Sequence, residues 1–135
     1  MAWITPKTDW SATDHVSASD YNRIINNLQV LQELAKKLYG NINLESMVEN
    51  VDRSFKPYPS MFNHIENNLE TINEHTLNLD IGETKTYTSN GRTIDYNEFN
   101  RIEEGMLRLY NIIYWSVEAL PKLPVKLGGE RGLQV

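Results

Sequence analysis

The chain has no cysteine among its 135 residues, which excludes disulfides, thiolate metal sites and cysteine nucleophiles. It has no long apolar run either. Its most apolar stretch, Leu107 to Leu120, is broken by Arg108, Asn111 and Glu118, short of the roughly 18 consecutive apolar residues that read as a membrane span. The opening MAWITPKTDW lacks a basic segment followed by an apolar core, so a soluble chain without a cleaved signal is expected. Positive charge is the minority: 13 Lys plus Arg stand against 18 Asp plus Glu, for a formal net charge of -5 and a pI near 5.2. That balance argues against the phosphate backbone of a nucleic acid as the main partner. The length suits one domain able to bury about two thirds of its unfolded surface.

What is present is a phrase written three times. ASDYNRIINNLQVL begins at Ala18, PSMFNHIENNLETI at Pro59 and NEFNRIEEGMLRL at Asn97. On a common frame an aromatic (Tyr21, Phe62, Phe99) is followed by Asn (Asn22, Asn63, Asn100). A basic or imidazole residue comes next (Arg23, His64, Arg101), then Ile (Ile24, Ile65, Ile102). Leu28, Leu69 and Met106, then Leu31, Ile72 and Leu109, complete an apolar seam at offsets of 0, 3, 7 and 10. That spacing belongs to helices packed on one another. Ser17 and Asp95 stand as N-caps with Asp20 and Glu98 placed to answer them, and Pro59 opens the second copy at the first helical position. Val16 and Ile94 are spaced to staple onto Tyr21 and Phe99.

The predicted architecture is mainly α, a bundle of three long helices at 18 to 39, 59 to 78 and 95 to 120, with Gly40 and Pro121 as stops. A fourth, short helix is predicted over LESMVENVDRSF, where Leu44, Met47, Val48, Val51 and Phe55 share a helical face. Alternating ETKTYTSNGRTI with Asn90-Gly91 predicts a small β-hairpin near 84 to 94. The expected organisation is an extended N-terminal arm (1 to 16), the bundle (17 to 120) and an extended C-terminal tail (121 to 135). Trp3, Trp10, Tyr87, Pro124, Val125 and Leu127 are the candidate interface residues.

No catalytic constellation emerges. His64 and His75 share a predicted helix but lie eleven residues apart, about 16 Å, too far for one ion. Glu66, Glu70, Glu74, Asp80 and Glu83 read as one solvated acidic face rather than as a Ca²⁺ site or an acid-base pair. LGGERG has no helix after it to hold a phosphate, and G-x-S-x-G is absent. A helix-turn-helix reader using Arg101 and Arg108 is outweighed by the acidity of the chain and by Tyr110, Tyr114 and Trp115 on the same helix. Asn22, Asn63 and Asn100 have two readings, amides that fix register on a neighbouring backbone or plain exposed residues. No enzyme activity, metal or other cofactor is expected.

The segment WITPKTDWSATDHVSASDYNRIINNLQVL, with PKTDW followed by DYNRI at the start of a helix, resembles the opening of small structural proteins from tail and baseplate gene clusters of phages and prophages of Gram-positive bacteria. The resemblance covers about the first 35 residues. It implies a virion part assembled in the host cytoplasm through contacts with copies of itself and with other tail proteins. The alternative is a small regulatory or nucleic-acid-associated phage or bacterial protein.

Overall fold

The structure, a computed structural model, describes residues 2–120. The protein is mainly α, with three packed helices: α1 (Ala18–Tyr39), α2 (Pro59–Glu74) and α3 (Tyr96–Ala119). Each aromatic of the repeated phrase is the fourth residue of its helix, and the three rings meet. Phe62 lies edge-on to both Tyr21 and Phe99, at 6.4 and 5.7 Å between centroids. All three helices therefore start at one end of the molecule and run the same way. The seam becomes a single core, in which Tyr21, Ile24, Leu28, Leu31, Ile65, Leu69, Ile72, Phe99, Ile102, Met106 and Leu109 are all buried.

The helix starts follow the sequence signals. Ser17 Oγ accepts the Asp20 N–H at 3.1 Å, and Asp20 returns the bond from the Ser17 N–H at 3.0 Å. Asp95 caps α3 through the Glu98 N–H at 3.1 Å, but Glu98 does not answer, because its carboxylate is taken by Arg101 at 2.7 Å. Gly40, at φ +85, ends α1 in a conformation that L side chains avoid. The second helix stops at Glu74, earlier than its spacing predicts, because Asn73 turns its amide onto the backbone of Leu79.

Parallel neighbours need long returns, and here these are non-helical. The segment 44 to 55 is not the predicted fourth helix. Leu44, Met47, Val51 and Phe55 do pack on the core, but the chain reaches them without a helix, through a bend at Asn50 with φ +55 and a turn closed from the Phe55 N–H to Asp52 O at 2.9 Å. The backbone groups of Glu45 and Val51, which a helix would use in its own ladder, are held by Asn68 and Asn22 instead. The hairpin at 84 to 94 is likewise absent. A turn at 89 to 91 and one bond from the Thr88 N–H to Arg92 O remain, while the backbone of Tyr87 pairs with the Asn63 side chain. Among the described residues there is no β-strand. The N-terminal arm lies on the bundle as a third such segment.

Candidate functional site

The asparagines of the repeated phrase set how these segments dock. Asn22, Asn63 and Asn100 each accept an N–H and donate to the C=O of one residue on a non-helical segment: Val51, Tyr87 and Trp10 respectively, at 2.7 to 3.0 Å. Five residues further along, Asn27 holds Ile4 and Asn68 holds Glu45 in the same two-bond manner, each reaching back 23 residues. The third copy has Gly105 at this place. A Cβ there would come within 3.1 Å of Ile81 Cβ, so the glycine admits a closely packed side chain where the other copies hold the chain with an amide. A last position anchors the far end of each segment: Gln32 on Ile42 O at 2.7 Å, Asn73 on Leu79, and Tyr110 stacked with Trp3 at 4.0 Å and 6°.

The pattern closes in a ring. Residues 42–51 lie in the groove between α2 and α1, residues 79–87 between α3 and α2, and residues 2–10 between α1 and α3. The N-terminal arm thus occupies the groove that a segment following α3 would fill.

Two of the three grooves contain a buried ionic node at equivalent positions. In the α1–α3 groove, Glu103, fully buried, receives Arg23 Nε and Nη2 at 2.9 and 2.8 Å, the Trp10 indole N–H at 2.7 Å and the Lys7 N–H at 3.1 Å. Arg23 also binds Asp20 at 2.9 Å. In the α2–α3 groove, Glu66 takes Arg101 and the Tyr87 hydroxyl on one oxygen, while its Oε1 has no partner. Burial disfavours the charges of Arg23 and Arg101, but their carboxylate partners more than offset it and hold both above the ordinary guanidinium value. Burial, and then the bond to Glu66, push the Tyr87 phenol up. In the α1–α2 groove the matching places carry Ile25 and Val51, and His64 turns outward to Glu45 at 2.6 Å. Glu66 is therefore not part of a solvated acidic face; Glu70 and Glu74 are exposed as expected.

Of the residues singled out for an interface, Trp10 and Tyr87 are 4% and 2% exposed and serve inside the chain as the anchors of these nodes. Pro124, Val125 and Leu127 lie outside the described residues. Trp3 heads an aromatic strip: Trp3 on Tyr110, Tyr110 on Tyr114 at 5.3 Å, Tyr114 against Trp115 at 5.9 Å. The strip ends in the open, with Trp115 70% exposed and Ile112 and Leu120 exposed nearby on the chain. Spacing alone separates Ile113 and Val117, which continue the seam into the core, from Ile112 and Trp115, which do not.

No group of metal-ligating residues occurs among the described residues, and no helix there is long and apolar enough to cross a membrane. Comparison with family models, curated proteins and solved structures found no match.

Proposed function

We propose that this chain is a structural subunit of a phage virion, a tail, baseplate or fibre-anchoring part that assembles in the host cytoplasm through contacts with copies of itself and with other tail proteins. The observation that carries this reading is the aromatic strip ending at Trp115, a large indole left 70% exposed, with Ile112 one turn earlier on the same helix exposed as well. Exposed apolar surface of this kind gains by being covered, and tryptophan is prominent among residues that dominate interfaces.

Two further observations support it. Of the five buried polar side chains among the described residues, Asn27, Asn68, Asn73 and Glu103 are committed to holding the chain's own backbone or a neighbouring arginine, and Glu66 holds Arg101 and Tyr87 through one of its two oxygens, which is the chemistry of a rigid part. All three helix grooves are filled by residues of the same chain. The resemblance of PKTDW and DYNRI to phage tail proteins supplies the class of assembly.

Two experiments test the reading. Electron microscopy of purified tailed particles carrying a labelled copy should place the label on the tail, and particles without it would overturn the assignment. Trp115→Glu, and separately removal of residues 121–135, should abolish association in low and high salt while leaving a cooperatively melting monomer. Association that survives both changes, or a gel shift with DNA that weakens steeply with salt, would favour the regulatory alternative.

A further inference from the structure

Six asparagines are locked by their own clamps. Asn22, Asn27, Asn63, Asn68, Asn73 and Asn100 each have the amide oxygen and nitrogen engaged with a single partner residue, and each sits in a helix. The clamps also restrain asparagines outside the helices. Asn50 and Asn78 are exposed at positive φ, yet the backbone N–H that follows each is the one a clamp holds: Val51 by Asn22 at 3.0 Å and Leu79 by Asn73 at 2.8 Å.

Asn90 has none of these restraints. It lies exposed at the turn of residues 89 to 91, the protein's one Asn-Gly pair. Its side chain makes no hydrogen bond among the described residues. The following amide, Gly91 N–H, has a single long contact, 3.4 Å to Thr88 O. Without a Cβ, Gly91 can adopt the backbone conformations that bring its nitrogen against the neighbouring side chain.

We infer that Asn90-Gly91 is a site of self-modification, at which the side-chain amide of Asn90 is lost by attack of the Gly91 backbone nitrogen. That nitrogen, giving its proton to solvent base, bonds to Asn90 Cγ. The Cγ–Nδ2 bond breaks and ammonia leaves with a proton, closing a five-membered succinimide. Water then opens the ring at one carbonyl or the other, giving aspartate or isoaspartate. No oxidant, reductant or cofactor is required. The product adds a negative charge to the turn, close in sequence to the Asp95 cap of α3. In the isoaspartyl form it also inserts an extra main-chain atom into the loop that the bond from Thr88 N–H to Arg92 O closes. An assembled part of this kind carries a chemical record of its age at one exposed loop.

The test is peptide mapping of the full chain after incubation at mildly alkaline pH, native and in urea, with enzymatic methylation to count isoaspartate. Asn90 should convert first in the native protein, and Asn90→Ser should remove the isoaspartate signal. In urea, Asn50 and Asn78 should speed up by roughly tenfold or more, because native clamps that must otherwise open are gone. Retention of the Asn90 amide while another asparagine of the native chain converts would overturn the assignment. Equal rates at Asn50 and Asn78 in both states would overturn the protective role of the clamps.

Discussion

Replacing Asn100 by alanine isolates one clamp. Asn100 makes two bonds, accepting the Trp10 N–H at 2.8 Å and donating to Trp10 O at 3.0 Å, and Trp10 is only 4% exposed. A net value of about 0.5 to 1.5 kcal/mol per hydrogen bond sets a loss of roughly 1 to 3 kcal/mol, and each backbone group left dry adds to it. Alanine is the better helix former, by at most about 0.7 kcal/mol, which offsets part of the loss. The expected destabilisation is therefore about 2 to 3 kcal/mol in urea melts, roughly 10 °C in melting temperature for a chain of this size. Asn97→Ala, at an exposed position one turn earlier on α3, should change stability by under about 0.5 kcal/mol. Asn100→Asp keeps the acceptor but turns a carboxylate onto the Trp10 carbonyl, so it should destabilise at neutral pH and recover part of the loss in acid, where a protonated carboxyl donates. If Asn100→Ala and Asn97→Ala melt together, the amide does not hold the N-terminal arm.

Three other outcomes follow from the packing. Glu103→Ala leaves the Arg23 guanidinium with Asp20 alone and strands the Trp10 indole N–H, and should cost about 3 kcal/mol by denaturant melts, with Glu103→Gln costing less; a change near zero would mean that water reaches the node. Leu28→Ala, at a fully buried seam position, should cost about 2 to 5 kcal/mol, and a melt shifted by less than about 0.5 kcal/mol would remove Leu28 from the core. Burial, and then the Glu49 carboxylate, push the Tyr21 phenol up to about 12, against about 10 when unfolded. This stabilisation is complete below the unfolded value and is lost as pH rises through the folded one. Tyr21→Phe should therefore shrink the loss of stability between about pH 10 and pH 12 without abolishing it, since Tyr87 is shifted the same way, and an unchanged alkaline limb in urea midpoints would contradict this.

The seam was legible because apolar spacing reports directly on which helix face is buried, and Tyr21, Leu28, Phe99 and Met106 took the places it assigned. The caps at Ser17 and Asp95 were legible for a similar reason, as local chemistry with local partners. The return segments were not. Leu44, Met47, Val51 and Phe55 satisfy a helical period, but they do so on an irregular chain that touches the core at intervals, and a short apolar pattern does not separate the two. The alternation around Tyr87 suggested a strand partner, whereas the pairing groups belong to Asn63 on a helix. Glu66 looked solvated because its spacing matched Glu70 and Glu74, and only the fold brings Arg101 and Tyr87 to it. Of the two readings left open for Asn22, Asn63 and Asn100, register on a neighbouring backbone is the one seen.

An asparagine that grips an N–H and a C=O reads a feature every residue except proline possesses. The side chains at the six gripped positions, Ile4, Trp10, Glu45, Val51, Leu79 and Tyr87, accordingly have little in common: two aromatics, three aliphatics and an acid. The information that specifies docking is therefore written on one side only, in the helices, and the segments that are docked are free to spell almost anything. This asymmetry explains why the threefold pattern shows in the letters of α1, α2 and α3 and is invisible between them. A search for kinship that weighs all positions alike would find most of such a chain to be noise, and its grammar is better sought in the spacing of the amides than in the words they hold.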